Sequence, residues 1–436
     1  MVYILARSYR ELGNGSKASY WYDRHIHLFP RHKKTLDIIW YRAWQKEDAN
    51  KFDEARKYYR MIFKKFKSKP LADDSHFRYA LTYCKEKDFK NALKSFSSFL
   101  ALYPYSNLIM DVRYWMAKCY YAMKNNKSAV KECKQIIEMD PTNYYAFRAR
   151  KMIYLINDTT LTLTIDTLST LNETIHWLDS LSRDSPDKLD SKDSTMYKLG
   201  GCLAAIGMIK QAEHVLKPLE KVDPKNLILQ FQLARLYKLS NAPTLSFRIA
   251  VKLSWRIPET GRANMPKYVY SLLYPNSFYE LIAKNAVKYN LEPGLVSSII
   301  RQESIFNPVI ESPVGAIGLM QIMPYTGEEI AKDLNDTFYL DSLYTPGVNI
   351  RYGTYYIRKL LNQFNNDLVL ALASYNGGPH NAKRWRAQNS DDGFDMFIED
   401  IGFSETRKYI KKVLGNYWTY IHLEKMNIFP KSPSFL

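Results

Sequence analysis

The sequence predicts an all-α protein in which a superhelix of stacked helical hairpins precedes a separate, mainly α-helical domain. Three observations carry that prediction. Pairs of small residues recur twelve apart through the first three-fifths of the chain, usually with Pro twelve further on. The recurrence stops after Pro258, where apolar helical stripes and Gly-containing turns take over. Only 17 Gly and 19 Pro occur among 436 residues, too few for a turn-rich β architecture.

The repeat comes first. Its units are Ala6–Ala18–Pro30, Ala80–Ala92–Pro104, Ala117–Ala129–Pro141 and Gly200–Ala212–Pro224. Ala43–Ala55 joins them with Pro70 three residues late, and a weaker Ala234–Ser246–Pro258 closes the series. A small side chain on each of two antiparallel helices lets their axes approach, and Pro stops the second helix. The residue four positions after the second small one (Tyr22, Tyr59, Phe96, Cys133, Leu216) fills the groove. One hairpin cannot bury its own apolar face, so successive hairpins stack. Residues 155–195 break phase and read as an irregular repeat with a loop around Ser182–Ser194. The first unit is already under way at Met1, so the chain is expected to lack its natural N-terminus and any signal peptide. The expected organisation is a superhelix over 1–258, a linker over 259–266 and a second domain over 267–436.

The net charge of +18 lies entirely in the first part. Residues 1–258 hold 44 Lys and Arg against 26 Asp and Glu, whereas residues 259–436 hold 18 of each. A basic surface suits a polyanion, and it is equally what a solvated Lys-rich helical face looks like. No zinc-finger spacing, RNA-binding aromatic motif or basic-zipper heptad is present, so nucleic acid is not expected as a partner. Cys84, Cys119, Cys133 and Cys202 lack CxxC spacing, and neither a metal site, a disulfide framework nor a cofactor is indicated. Charges interrupt every apolar stretch short of the roughly 18 residues a membrane span needs.

The second domain centres on Leu295-Val296-Ser297-Ser298-Ile299-Ile300-Arg301-Gln302-Glu303-Ser304, with Pro293 suited to the first helical turn. Val296, Ile299 and Ile300 make an apolar stripe, and Glu303 falls on it near the last turn. Desolvation and the negative end of the helix dipole both raise a carboxyl pKa, which general acid catalysis near neutral pH requires. The other reading of Glu303 is a frayed helix end turned toward Arg301 or solvent.

Three more clusters lie further along the chain. Phe306-Asn307-Pro308 leads into Ser312-Pro313-Val314-Gly315-Ala316-Ile317-Gly318-Leu319-Met320-Gln321-Ile322-Met323-Pro324. There Gly315 and Gly318 permit close backbone approach, Gln321 offers an amide and Met323 an apolar wall. Ala371–Pro379 brings Tyr375 and Asn376 to a helix end at a Gly-Gly-Pro turn. Phe403–Ile410 reads as a helix start with Ser404 as N-cap.

In order, Glu303-Ser304, Phe306-Asn307-Pro308, the Ser312–Pro324 loop, Tyr375-Asn376-Gly377-Gly378-Pro379 and Glu405-Thr406-Arg407 with Tyr409 resemble one family. That family is the soluble lytic transglycosylases, peptidoglycan-cleaving enzymes with a lysozyme-like fold, and the resemblance runs from about Tyr274 to Tyr420. The hairpins resemble tetratricopeptide-like repeats and the helical part of the family's large soluble members. Gly377-Gly378-Pro379 stands where Asn-Ala-Gly-Pro is commoner, a change that Gly377 is expected to tolerate. The resemblance implies Glu303 as single acid/base, cleaving between N-acetylmuramic acid and N-acetylglucosamine and closing a 1,6-anhydro ring without metal or cofactor. It implies Ser312, Gln321, Met323, Tyr375, Asn376 and Glu405 as substrate-binding residues. Ser312 and Gln321 would steer acetamido and peptide groups, and Tyr375 would orient Glu303 or the sugar. Peptidoglycan strands would be the partner, in the periplasm or cell envelope, with the repeats open to protein partners. Two other readings stand. A hydrolysing muramidase resembling goose-type lysozyme would use Asp333, Asp336 or Asp341 to position water. A repeat scaffold would only bind glycan through its lysozyme-like domain.

Overall fold

The computed structural model describes residues 1–67, 69, 71–163, 165, 170–181, 191–222, 225–240, 242–262, 265–388, 393–426 and 428. Among them the regular structure is helical, and extended pairing is confined to isolated bridges such as Ile317–Ile322. The chain divides into two compact units, residues 1–136 with 148–161 and residues 137–147 with 162–436.

In the first unit the helices pair as hairpins, Val2–Glu11 with Gly15–Leu28, Thr35–Asp48 with Phe52–Lys65, and Ala72–Lys85 with Phe89–Leu102. The small residues face inward as their spacing predicts: Ala6, Ala43, Ala55, Ala80, Ala92, Ala117 and Ala129 are all fully buried. Tyr59, Phe96 and Cys133 fill the grooves beside them and are fully buried too. Helices end at Leu28 and Leu102, two residues before Pro30 and Pro104; Pro70 and Pro224 lie outside the described residues. A further regularity fixes the turns. Seven residues after each first small residue the backbone is left-handed, at Gly13, Asn50, Lys87 and Lys124 (φ 72°, 56°, 61° and 59°). The next N–H then closes on the carbonyl five residues back, as in Asn14 to Tyr9 and Lys51 to Lys46.

The second unit shares one core. Helices Leu227–Leu239 and Pro243–Arg256 contribute Phe231, Tyr237 and Leu253, which cluster with Tyr270 and with Tyr420 and Leu423 of the helix Ser404–Lys425. The last hairpin thus buries its apolar face on helices C-terminal to it, and the compact units part earlier in the chain than the pattern change at Pro258. The stretch expected as a linker contains a helical turn, Glu259–Arg262, and Met265 enters the same core. Arg262 donates to the carbonyls of Ile257 (3.1 Å) and Met139 (2.9 Å). The irregular stretch places Leu163 and Ile165 in that core as well, then forms the helix Leu171–Leu181. Of the expected loop, residues 182–190 lie outside the described residues, and Ser191–Ala205 is helical. A Cβ at Gly200 would lie 2.3 Å from Leu216 Cδ2, so this later hairpin also needs its small residue.

Candidate active site

The helix Pro293–Glu303 starts on Pro293, buries Val296, Ile299 and Ile300 completely, and ends on Glu303 itself. Ile305 and Phe306 are then both left-handed (φ 53° and 57°), which turns the chain sharply and sinks the Phe306 ring into the core. Ser304 Oγ donates to the Leu319 carbonyl at 2.8 Å, tying this helix end to the Met-containing loop.

That loop is held from inside. Ser312 and Ala316 exchange bonds, Ser312 N–H to the Ala316 carbonyl and Ala316 N–H to Ser312 Oγ, each 2.9 Å. Asn349, 1% exposed, accepts from Met320 N–H (2.7 Å) and donates to the carbonyls of Ile317 (2.9 Å) and Leu343 (2.7 Å). Gly318, with φ 79°, passes so near that a Cβ would lie 2.4 Å from Asn349 Nδ2. Next, Tyr375 Oη donates to the Met320 carbonyl at 2.7 Å, and Thr406 Oγ1 donates to Asn376 Oδ1 at 2.6 Å. Hydrogen bonds therefore stitch the four sequence clusters together in order. The last of them brings Glu405 and Tyr409, one helical turn apart, back to Glu303.

Burial pushes the half-buried Glu303 carboxyl up to about 7; the Tyr409 hydroxyl opposes this, and the Glu405 charge adds to it. Tyr409 is 4% exposed, and its hydroxyl has no hydrogen bond of good geometry among the described residues. Burial and then the Glu303 charge raise the Tyr375 and Tyr409 phenols well above their ordinary range. Both phenols consequently stay protonated. Arg301 is turned away: its guanidinium donates to the Leu273 carbonyl (3.0 Å) and to Asn416 Oδ1, and lies 4.5 Å over the Tyr274 ring. A Glu303–Arg301 pair is thus not formed.

The remaining predicted residues have definite duties. Gln321, left-handed at φ 48°, spends its amide protons on the carbonyls of Gly318 (2.9 Å) and Ile310 (3.3 Å), leaving only its oxygen to accept. Met323 is the half-buried residue preceding the helix Pro324–Asp333, and Glu405 is exposed. No hydrogen bond joins Ser312, Gln321 or Met323 to Glu303 among the described residues. Ser404 is the first helical residue rather than the cap, which is Phe403. Gly377 does more than tolerate its place, since a Cβ there would lie 2.8 Å from the Trp385 ring. The carboxylates proposed for water activation are engaged elsewhere or exposed. Asp333 pairs with Lys359 (2.5 Å) and accepts from Tyr355 (3.1 Å), Asp336 pairs with Arg351 and accepts from Tyr352 (3.1 Å), and Asp341 is exposed. Among the described residues, Glu405 alone of the carboxylates acts on Glu303.

Stacked helical hairpins thus lead into an α-helical domain that holds a desolvated carboxyl at a helix end. Residues 280–398 match the transglycosylase SLT domain, and residues 74–106 and 111–143 match the tetratricopeptide repeat, so the chain carries both. The soluble lytic murein transglycosylase of Salmonella typhimurium is 38% identical over 153 residues, which are 34% of this chain and 24% of that protein. Lytic transglycosylase Slt of Pseudomonas aeruginosa, solved as an inactive Glu-to-Gln mutant, superposes with a TM-score of 0.70 at 20% identity, covering 98% of this chain and 62% of that one. The 70 kDa soluble lytic transglycosylase Slt70 of Escherichia coli gives 0.59 at 20% identity, covering 97% and 69%. The sequence match thus spans about a quarter of the curated relative. The structural matches show the fold, a tetratricopeptide-like superhelix followed by a lysozyme-like, mainly α domain. Among the described residues no helix is long and apolar enough to cross a membrane.

Proposed function

We propose that this protein is a lytic transglycosylase of the cell envelope that cleaves the bond between N-acetylmuramic acid and N-acetylglucosamine in peptidoglycan. The observation that carries the reading is Glu303, a carboxyl raised to about 7 by burial, on which, among the described residues, the exposed Glu405 is the one carboxylate that acts. Near neutral pH about half of such groups hold a proton, so one residue serves first as acid and then as base. Glu303 protonates the bridging oxygen as the glycosidic bond breaks, and the substrate's own acetamido oxygen stabilises the cationic sugar. The Glu303 carboxylate then removes the proton from the muramic C6 hydroxyl, whose oxygen attacks the anomeric carbon. The ring closes as a 1,6-anhydro sugar, no water is consumed, and Glu303 regains its starting proton. A hydrolase of the usual kind instead needs a second carboxylate facing the bond.

Tyr409 supplies a buried hydroxyl that no other group competes for, suited to hold Glu303 through both steps. Tyr375, its proton committed to Met320, orients the loop and offers its oxygen. Ser312 retains its hydroxyl proton and Asn376 its amide protons for sugar carbonyls, while Gln321 retains an acceptor. Turnover of purified walls tests these roles. Glu303→Gln is expected to release soluble fragments at least about a thousandfold more slowly, and Glu405→Gln to keep activity with a lower acid/base pKa. Wall release by Glu303→Gln at the wild-type rate rejects the mechanism.

A further inference from the structure

The helix that ends in Glu303 has a second chemical face. Arg301 leaves it about 200° round from Glu303 and reaches a separate cavity of about 500 Å³ within the second unit, a size suited to a small ligand. Three cations line it, Arg262, Arg301 and Lys412, and among the described residues none of them pairs with a carboxylate. The acid on its wall, Asp140, already accepts from Thr142 N–H (3.0 Å) and Thr142 Oγ1 (2.8 Å). Asn416 is 7% exposed; its oxygen is taken by Arg301, and its Nδ2 has no hydrogen-bond partner. A buried amide donor left unused costs on the order of 1–3 kcal/mol. Trp255, 75% exposed, adds an aromatic surface to the lining.

Among the described residues, these cations have only carbonyl and amide oxygens as hydrogen-bond partners. With a buried donor and an open indole they suit a carboxylate carried on an amide-bearing body, because a carboxylate supplies the counter-charge that these neutral acceptors do not. We infer that this cavity is a second binding site, separate from Glu303, for a carboxylate-bearing peptide branch of the strand being cleaved. The choice of strand rests on the proposed function; the carboxylate chemistry rests on the cavity alone.

Calorimetric titration of the full chain carrying Glu303→Gln tests the site, with N-acetylmuramyl dipeptide as acidic probe and chitobiose as neutral control. Both are compared after adding Trp255→Ala and Lys412→Gln, two exposed changes whose folding is checked by circular dichroism. The expected result is saturable dipeptide binding weakened about tenfold or more by the added changes, with chitobiose binding unaltered. The same changes should release the chain from purified walls. Unchanged dipeptide affinity, or equal loss for chitobiose, overturns the site; weakened dipeptide binding with wall retention unchanged overturns the strand as its source. Wall cleavage by the unmodified chain is scored separately, so a protein that binds the dipeptide there but leaves walls intact refutes the function and not the cavity.

Discussion

Glu303 has an ordinary carboxyl pKa of 4.5 when unfolded and one near 7 in the folded chain, so the native state holds its proton more tightly. The stability linked to that proton is complete below about pH 4.5 and is lost as pH rises toward 7. Glu303→Gln removes the dependence. It should stabilise the protein by up to about 3 kcal/mol at pH 8 and leave it unchanged at pH 4, measured by denaturant unfolding at both. Equal stability at pH 8 would mean that the carboxyl is not desolvated. Tyr409→Phe deletes the group that holds the Glu303 pKa down, so the alkaline limb of the pH–activity profile should move to higher pH; movement to lower pH contradicts the assignment. The position of Glu303 was legible because helical period alone puts it on the stripe of Val296, Ile299 and Ile300. Tyr409 was legible in principle, sharing a face with Glu405 four residues earlier. Asn349 was not, since a single polar residue within a helix gives no sign that it is the buried tether of a distant loop.

Among the elements, the hairpins were legible because side-chain size at the crossing point sets how closely two helices approach. Their turns were less so: Gly13 and Asn50 announce a left-handed residue, but Lys87 and Lys124 occupy the same conformation without any local signal. Residues 155–195 defeated a reading by period because part of the stretch, Leu163, Ile165 and Leu178 of the helix Leu171–Leu181, packs into the second unit's core instead of forming another hairpin in phase. Two elements carry testable energetics. Glu47, 2% exposed, joins the hairpins through Tyr59 (2.6 Å), Lys85 (3.0 Å) and Arg78. Burial alone would raise its carboxyl, but the Arg78 and Lys85 charges outweigh it and hold the pKa at about 2. This contribution is present above about pH 4.5 and is lost as pH falls toward 2. Glu47→Gln should cost about 3–5 kcal/mol at neutral pH by leaving cations unpaired, read as a lowered melting temperature; a change below about 1 kcal/mol would show that the cluster is solvated. Gly318→Ala demands both a strained φ of 79° and space held by Asn349. It should disorder the Met320 loop and depress wall release far more than Gly315→Ala, where a Cβ meets nothing within 4 Å.

For the whole molecule, charge and chemistry divide along the chain. The excess of +18 lies in residues 1–258, and the desolvated carboxyl lies in the neutral remainder. If basic helical faces hold an anionic wall strand, the full chain carrying Glu303→Gln should co-sediment with purified walls at low salt and be released by a few tenths molar salt. Retention that ignores salt contradicts an electrostatic role. The full chain is the proper test object because Phe231 and Leu253 share a core with Tyr420, so residues 1–258 are not a compact piece by themselves. That shared core is why a sequence boundary at Pro258 and the structural one differ: the repeat pattern ends where its spacing ends, whereas packing continues across it. The central claim, one carboxyl acting in turn as acid and base on a substrate that attacks itself, is tested most directly by digesting purified walls in heavy-oxygen water and weighing the fragments. The account predicts muramic ends one water lighter than hydrolysed ones and free of heavy oxygen. Reducing ends carrying heavy oxygen would contradict it.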